Sequence, residues 1–132
     1  MTHHFHALIW LDHRTAKILR FDGQSSESAT IHSTDPHVHL HHKANSGDSG
    51  NAPIDMGFLK NITAAVASAG VILITGPGSA KNELRAHIER EHADIAKRIS
   101  AVQTLDHPSD GQLLAHGREF FKSDDRMRSQ SA

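Results

Sequence analysis

The first quarter of the chain alternates between short strand-like runs and turn residues. The runs cover residues 5–11, 15–21 and 27–33, and the sequences Asp-His-Arg and Asp-Gly lie in the gaps between them. Apolar and β-branched runs bounded by such turn signals predict β-strands, and short gaps join neighbouring strands antiparallel. Asp35-Pro36 then interrupts the third strand. We therefore expect an antiparallel meander of three strands.

From residue 54 onward the apolar spacing is that of helices alternating with strands. Apolar residues recur at helical intervals from Ile54 to Ala69, and Gly70 ends this helix. Val71–Thr75 is a continuous apolar run, which is typical of a strand buried on both faces. The pattern then predicts a second helix that carries Leu84, Ile88 and Ile95, a fifth strand over residues 99–105, and a last helix with an apolar stripe formed by Leu113, Leu114, Gly117, Phe120 and Phe121.

The predicted order is β-β-β-α-β-α-β-α, which places the chain in the α/β class. Two right-handed crossovers after a meander give a five-stranded mixed sheet with helices on its faces. This is the element order of the ribonuclease H-like fold. We expect residues 1–121 to form a single domain, residues 36–53 to be a long flexible His-rich loop, and residues 122–132 to be a disordered tail. The small Gly117 would let the last helix approach the sheet closely.

Composition narrows the class of protein. The chain has 132 residues, of which 37% are hydrophobic and 22% charged, and its apolar runs are too short to cross a bilayer. It contains no Cys, which excludes disulfides, thiolate zinc sites and cysteine catalysis. The start of the chain lacks the pattern of a signal peptide, so we expect a cytoplasmic protein without membrane contact. Nothing in the sequence fixes the oligomeric state.

The charge is balanced, but histidine is unusually frequent. The net charge is -1 with histidine neutral, 14 Lys and Arg residues face 15 Asp and Glu residues, and there are 13 histidines. A protein that binds nucleic acid over a wide surface shows an excess of Lys and Arg, so any such contact here is local. Histidine titrates near pH 6.5, so the chain becomes basic in mild acid.

Three long stretches resemble a known family. They are ALIWLDHRTAKILRFDG (residues 7–23), GVILITGPGSAKNELRAHI (70–88) and KRISAVQTLDHPSDGQLLAHGREFF (97–121). Together they resemble the central domain of the class 1 peptide-release factor of eukaryotes and archaea, and of its relative Pelota. The resemblance covers most of residues 7–121. It implies a ribonuclease H-like "translational machinery" fold, here as a free-standing bacterial single domain.

The family loop after the third strand departs from the release-factor pattern. In the release factor this loop carries a basic segment and then Gly-Gly-Gln, which promotes hydrolysis of peptidyl-tRNA. The corresponding loop here, HVHLHHKANSGDSGNAP, has no Gly-Gly-Gln, as in Pelota. The resemblance therefore implies a non-catalytic protein that binds the ribosome or a tRNA acceptor arm. Our hypothesis for its role is stress or ribosome inactivity.

The His-rich loop has two functional interpretations beside that of a solvated polar loop. Imidazoles and an ammonium can contact phosphates and stack on unpaired bases, which predicts RNA binding by His37, His39, His41, His42 and Lys43. In an extended segment, alternate side chains share one side. His37, His39 and His41 could then bind zinc, nickel or copper, which would make the protein a metal-binding module.

Two further patterns carry weaker signals. GPGSAK lies between a predicted buried strand and a helix N-terminus, where backbone N–H groups suit an anion; the residues concerned are Gly76, Gly78, Ser79 and Lys81. The phosphate-loop and dinucleotide patterns are both absent there, and a tight turn with Ser79 as helix cap explains the same residues. A metal-dependent nuclease would need clustered carboxylates, and the sequence pattern does not bring such a set together. Asp12 and Asp106, which follow strands, are the residues whose mutation would test that alternative.

Overall fold

The computed structural model describes residues 5–22, 24–33 and 54–131, with side chains up to residue 124. Over these residues the chain forms one sheet and four helices. The strands are β1 (His6–Leu11), β2 (Thr15–Phe21), β3 (Ser26–His32), β4 (Val71–Gly76) and β5 (Ile99–Thr104). The helices are α1 (Met56–Ala65), α2 (Ala80–Glu91), α3 (Ala93–Ala96) and α4 (Asp110–Ser131). The predicted element order is confirmed, apart from the short α3.

The five strands form one mixed sheet in the order β3-β2-β1-β4-β5. β1 and β2 form an antiparallel hairpin in which Leu11 lies opposite Ala16, and β3 pairs antiparallel with β2. β4 pairs parallel with both β1 and β5, as crossover connections through helices require. The predicted α/β class and five-stranded mixed sheet are therefore confirmed.

Both faces of the sheet are covered, because the central strands are apolar at consecutive positions. In β1, Ile9 packs into one apolar cluster with α1 and α2, whereas Leu8 packs into a second cluster with α4. β4 is buried at every position, as its apolar run predicted. Each fully buried Leu or Ile contributes about 1.5–3 kcal/mol through removal of apolar surface from water. The core thus lies in two layers, one on each side of the sheet.

Gly117 is the point of closest approach between α4 and the sheet. A Cβ built at this position would lie 2.9 Å from Phe21 Cζ and 3.0 Å from Leu8 Cδ1. The side chains of Leu113 and Phe121, one turn away on either side, are buried against the same strands. The predicted role of Gly117 in close packing is confirmed.

Three helix boundaries differ from the prediction. The first helix does not run on to Gly70, because α1 ends at Ala65 and Val66 is its C-cap. The second helix does not run continuously to Ile95: α2 ends at Glu91, His92 adopts a non-helical conformation (φ -144°, ψ 72°), and α3 carries the buried Ile95. The last helix does not end at Phe121 but continues to Ser131, into the predicted disordered tail. Residues 122–131 contain no Gly or Pro to stop a helix. None of the helices in the described ranges is long and apolar enough to cross a membrane.

Candidate functional site

The carboxyl ends of four strands lie at one edge of the sheet. β1, β4 and β5 are mutually parallel, and β3 runs in the same direction because two antiparallel pairings separate it from β1. We call the connections that leave these strands the carboxyl edge: residues 12–14, Ser33, 77–79 and 105–109. In open α/β sheets, ligands bind outside the carboxyl ends of the strands. The carboxyl edge is therefore the first place to look for a functional site.

The two ends of segment 34–53 are joined at this edge. The backbone N–H of Ser33 donates to Arg14 O at 2.8 Å, and its hydroxyl donates to Asp55 Oδ2 at 3.1 Å. Asp55 also caps α1, accepting the N–H of Gly57 at 2.9 Å through Oδ1. The chain thus leaves β3 and enters α1 at neighbouring points of the carboxyl edge.

The predicted RNA-binding and metal-binding histidines lie within that segment. His37, His39, His41, His42 and Lys43 fall outside the described residues. Among the residues that the structure does describe, no three His, Asp or Glu side chains are grouped so that they could hold a metal ion. RNA binding and zinc, nickel or copper binding by the His-rich segment stay predictions.

Internal contacts account for the four residues of the predicted anion site. A Cβ on Gly76 would lie 2.2 Å from Leu11 O, so the glycine is needed for close packing against β1. The Lys81 ammonium donates to Gly78 O, and Lys81 is only 8% exposed. Ser79 occupies the N-cap position of α2 without making a side-chain cap bond; its hydroxyl lies 3.2 Å from Glu83 Oε2 instead. The prediction that the Ser79 side chain caps α2 is therefore wrong. The carboxylate of Glu83 already lies in the first turn of this helix. Anion binding there stays a prediction.

The hairpin turn after β1 exposes a histidine and an arginine. Asp12 Oδ1 accepts the backbone N–H groups of Arg14 and Thr15, each at 2.8 Å, which fixes the turn. His13 and Arg14 are left exposed at its tip. His13 Nε2 lies 3.2 Å from Glu83 Oε2, and the two side chains are 45% and 36% exposed. The turn thus places the imidazole of His13 against the carboxylate of Glu83, next to the exposed Arg14.

A second pair of histidine and carboxylate follows β5. His107 Nδ1 lies 2.9 Å from Asp106 Oδ1, and its ring lies against the Trp10 indole with 5.1 Å between ring centroids. Trp10 Nε1 donates to Asp106 O at 2.7 Å and also approaches Leu105 O at 3.3 Å. Because Trp10 belongs to β1, these bonds tie the loop after β5 to the strand that leads into the hairpin turn with His13.

Sequence reasoning did not single out His13 or His107 as site residues. A signal was present, since the tripeptide Leu-Asp-His occurs at residues 11–13 and again at 105–107, each time at the end of a strand of the parallel part of the sheet. Asp12 and Asp106, the nuclease candidates, are the central residues of these tripeptides. In the structure Asp12 accepts backbone N–H groups and Asp106 contacts His107, so each has a local structural partner.

Comparison with known proteins supports the fold. No protein-family model and no curated protein sequence matches the chain. Among solved structures, the chain is similar to Archaeoglobus fulgidus Pelota (TM-score 0.58, 12% identity, 83% of this chain and 29% of that one). It is also similar to Thermoplasma acidophilum Pelota (0.54, 17%, 80% and 29%) and to the archaeal translation termination factor aRF1 (0.54, 14%, 96% and 39%).

The similarity concerns the fold and only part of those proteins. The chain spans between 29% and 39% of their length, and the identities are too low to show more than shared architecture. The five-stranded mixed sheet with helices on both faces is therefore a Pelota/aRF1-like fold.

Proposed function

We propose that this protein is a non-catalytic, translation factor-like protein that binds the ribosome or a tRNA acceptor arm, and that it acts during stress or ribosome inactivity. It would do so as a cytoplasmic, ribonuclease H-like domain; the strand order β3-β2-β1-β4-β5 supports that fold assignment. The similar structures include an archaeal translation termination factor, which supports a translation-related role.

The observation that carries the proposal is the hydrogen bond between the Ser33 hydroxyl and Asp55. It joins the ends of segment 34–53 at the carboxyl edge, after the third strand, where the resembling release factor has its functional loop. The segment contains His37, His39, His41, His42 and Lys43, whose side chains suit phosphates and unpaired bases. Since Gly-Gly-Gln is absent from the segment, we propose binding without peptide release.

Co-sedimentation with ribosomes and their subunits tests the proposal. The wild-type chain is compared at low salt, at pH 6 and pH 7.5, with a variant in which His37, His39, His41 and His42 are replaced by Ala. A matched control is His92→Ala, an exposed histidine at the end of α2, which runs back from the carboxyl edge. We expect the fourfold variant to lose binding and the control to keep it. Absence of wild-type binding at both pH values would rule out the proposal.

The competing function is a metal-binding module built on His37, His39 and His41. Equilibrium dialysis with zinc, nickel and copper separates the two functions, because a physiological site binds at micromolar concentrations or below. Micromolar affinity that the fourfold variant loses, without ribosome binding, would favour the metal-binding function.

A further inference from the structure

The strand β5 forms an outer edge of the sheet without the features that usually protect such an edge. Within the described residues β5 pairs only with β4, so its other side is open. Edge strands of natural proteins are commonly protected from further pairing by charged residues or proline. The opposite edge strand, β3, carries the exposed Glu27, whereas residues 99–105 contain neither a charged residue nor a proline. The open side of β5 is therefore suited to pairing with another strand.

Two residues of β5 direct their backbone groups to this open side. The N–H of Leu105 donates to Gly76 O at 3.0 Å, so the backbone groups of Leu105 face β4. Because alternate residues of a strand face the same neighbour, Val102 and Thr104 present their N–H and C=O groups outward. The irregularity in the pairing with β4 lies before these residues, at Ser100. The open side is thus a regular strand edge from residue 101 onward.

A groove runs beside the open side, along the flank of α4 that contacts β5. The Ser100 hydroxyl donates to Asp124 Oδ1 at 3.0 Å, and His116 Nε2 lies 2.8 Å from Gln103 Oε1, so two contacts hold α4 alongside β5. Phe120 lies one helical turn from both His116 and Asp124, and it is half-buried. The groove has a volume of about 290 Å³ and is lined by His116, Glu119, Phe120, Ser123 and Asp124.

The open side of β5 is complementary to a second copy of itself. In an antiparallel pair with a twofold axis at Gln103, Val102 lies opposite Thr104 of the second copy, and the two residues exchange their outward N–H and C=O groups. On the face covered by α4, Ala101 lies opposite Leu105 of the second copy. Both of these residues pack against the apolar cluster that includes α4. All the opposed side chains are therefore uncharged, and each apolar side chain meets one that it can pack against.

The same register supplies an apolar side chain for the groove. Ala101 lies between Ser100 and Gln103, the two residues of β5 that hydrogen-bond to α4, so it is level with Phe120. The side chain opposite Ala101 is Leu105 of the second copy. This leucine therefore lies over the groove, beside the Phe120 ring, and the twofold axis repeats the contact.

Charges at the two ends of β5 favour the antiparallel arrangement. Lys97 and Arg98 precede the strand, and Asp106 follows it. Lys97 is exposed, and the side chain of Asp106 is 93% exposed. Antiparallel pairing brings the basic start of each strand towards the acidic end of the other, whereas parallel pairing would bring like charges together. The charge pattern is thus complementary to a second copy in the antiparallel orientation.

We propose that the protein forms a symmetric dimer in which β5 pairs antiparallel with β5 of a second copy, so that the two sheets become one. The inference is independent of the proposed function. A pair of such short strands buries less surface than a standard interface of about 1,600 Å², so we expect a dissociation constant on the order of 10 μM.

Sedimentation equilibrium of the full chain, between about 1 and 300 μM, tests the dimer. Thr104→Pro removes the outward N–H without removing a bond to β4. Thr30→Pro is the matched control on the opposite edge. The N–H of Ser33 donates to Arg14 O in β3's pairing with β2, so by alternation the N–H of Thr30 also faces outward. Circular dichroism and the melting temperature establish that each variant is folded.

We expect the mass of the wild-type chain to rise with concentration from 14.4 kDa towards twice that value. Thr104→Pro should weaken dimerisation by about tenfold to a hundredfold, because the twofold axis removes two hydrogen bonds at once. Thr30→Pro should dimerise like wild type.

A second pair of variants tests the register without depending on a proline. The chain contains no Cys, so Gln103→Cys introduces a single thiol. The axis places residue 103 opposite its own copy, with Cβ atoms about 4.5–5.5 Å apart. Thr104→Cys is the control, because its two copies are out of register and their Cα atoms lie more than about 7 Å apart, too far for a disulfide. We expect oxidation by diamide to cross-link Gln103→Cys and not Thr104→Cys.

Three results would each overturn the inference. They are a wild-type chain that stays monomeric over the whole concentration range, a folded Thr104→Pro variant that dimerises as tightly as Thr30→Pro, and equal cross-linking of the two cysteine variants. A dimer that Thr30→Pro dissociates and Thr104→Pro does not would place the interface at β3, which also contradicts the proposal.

Discussion

Ser33 and Asp55 are joined by a hydrogen bond of 3.1 Å between the Ser33 hydroxyl and Asp55 Oδ2, and they flank the segment that carries the histidine cluster. Asp55 has a second role, since its other carboxylate oxygen accepts the N–H of Gly57 and caps α1. A single side chain thus fixes the start of a core helix and the point where the His-rich segment returns to the carboxyl edge.

Replacing Asp55 should therefore destabilise the fold more than replacing Ser33. We expect Asp55→Ala to lower the free energy of unfolding by about 1–2 kcal/mol, because it removes a helix N-cap and the bond to Ser33. Ser33→Ala removes one hydrogen bond and should cost about 0.5–1.5 kcal/mol. Urea denaturation measures both values. Asp55→Asn keeps a capping oxygen and is the control; equal losses for Asn and Ala would show that capping is not the role of Asp55.

Gly76 and Gly78 lie in the same turn but should respond to substitution in opposite ways. A Cβ at Gly76 would meet the backbone oxygen of Leu11 at 2.2 Å, whereas a Cβ at Gly78 meets nothing within 4 Å. We expect Gly76→Ala to destabilise the fold by about 2–3 kcal/mol, because a backbone atom in a central strand cannot move aside cheaply. Gly78→Ala should change stability by less than about 0.5 kcal/mol. Thermal unfolding of both variants checks the contrast, and similar melting temperatures would contradict it.

Two glycines of α4 provide a similar contrast for the packing of this helix. Ala at Gly117 would crowd the buried Phe21 and Leu8 side chains, whereas Ala at Gly111 meets nothing within 4 Å. Gly117→Ala should lower the free energy of unfolding by about 1–2 kcal/mol, since overpacking outweighs the gain in helix propensity. Gly111→Ala should raise the free energy of unfolding by up to about 1 kcal/mol, through helix propensity alone. Opposite shifts of the melting temperature are expected; an upward shift for both would mean that the sheet yields to the added methyl.

His87 should make the fold sensitive to mild acid. Its side chain is 1% exposed, and neither ring nitrogen has a hydrogen-bond partner among the residues that the structure describes. Burial lowers the pKa of His87 below its ordinary value of 6.5; Glu91 opposes this shift, and Arg90, His92 and Lys60 add to it. As the pH falls below 6.5, the unfolded chain takes up the proton first, so the free energy of unfolding decreases until the folded pKa is passed.

The variant His87→Leu tests this assignment, because leucine has no titrating group and fills a similar volume. Its free energy of unfolding should fall less steeply than that of wild type between pH 7.5 and pH 5.5, and at pH 7.5 it should equal or exceed the wild-type value. His32→Gln, an exposed histidine at the end of β3, is the control and should keep the wild-type slope. An unchanged slope in His87→Leu would assign the acid sensitivity to other histidines.

The local spacing of apolar residues was sufficient to predict most of the fold. Val71–Thr75 is apolar at consecutive positions, and only a strand covered on both faces can bury such a run. Buried residues recur at about every second position in β2 and at helical intervals in α1. These two periodicities distinguish strands from helices, so the order of elements followed from the sequence. The spacing around Gly117 also indicated where α4 lies closest to the sheet. Helix ends were less predictable, because the break at His92 lies between two helical runs without a Gly or Pro to mark it.

The candidate site depended on the tertiary structure. The sequence determined which side chains are present, including the histidine cluster and the repeated Leu-Asp-His tripeptide. It did not determine that His13 meets Glu83, 70 residues further along the chain, or that Trp10 bonds to the carbonyl of Asp106, 96 residues away. These contacts exist because parallel strands bring their carboxyl ends to one edge and α2 begins at that edge. Local periodicity sets which face of an element is buried, whereas only the packing of distant elements sets which side chains meet.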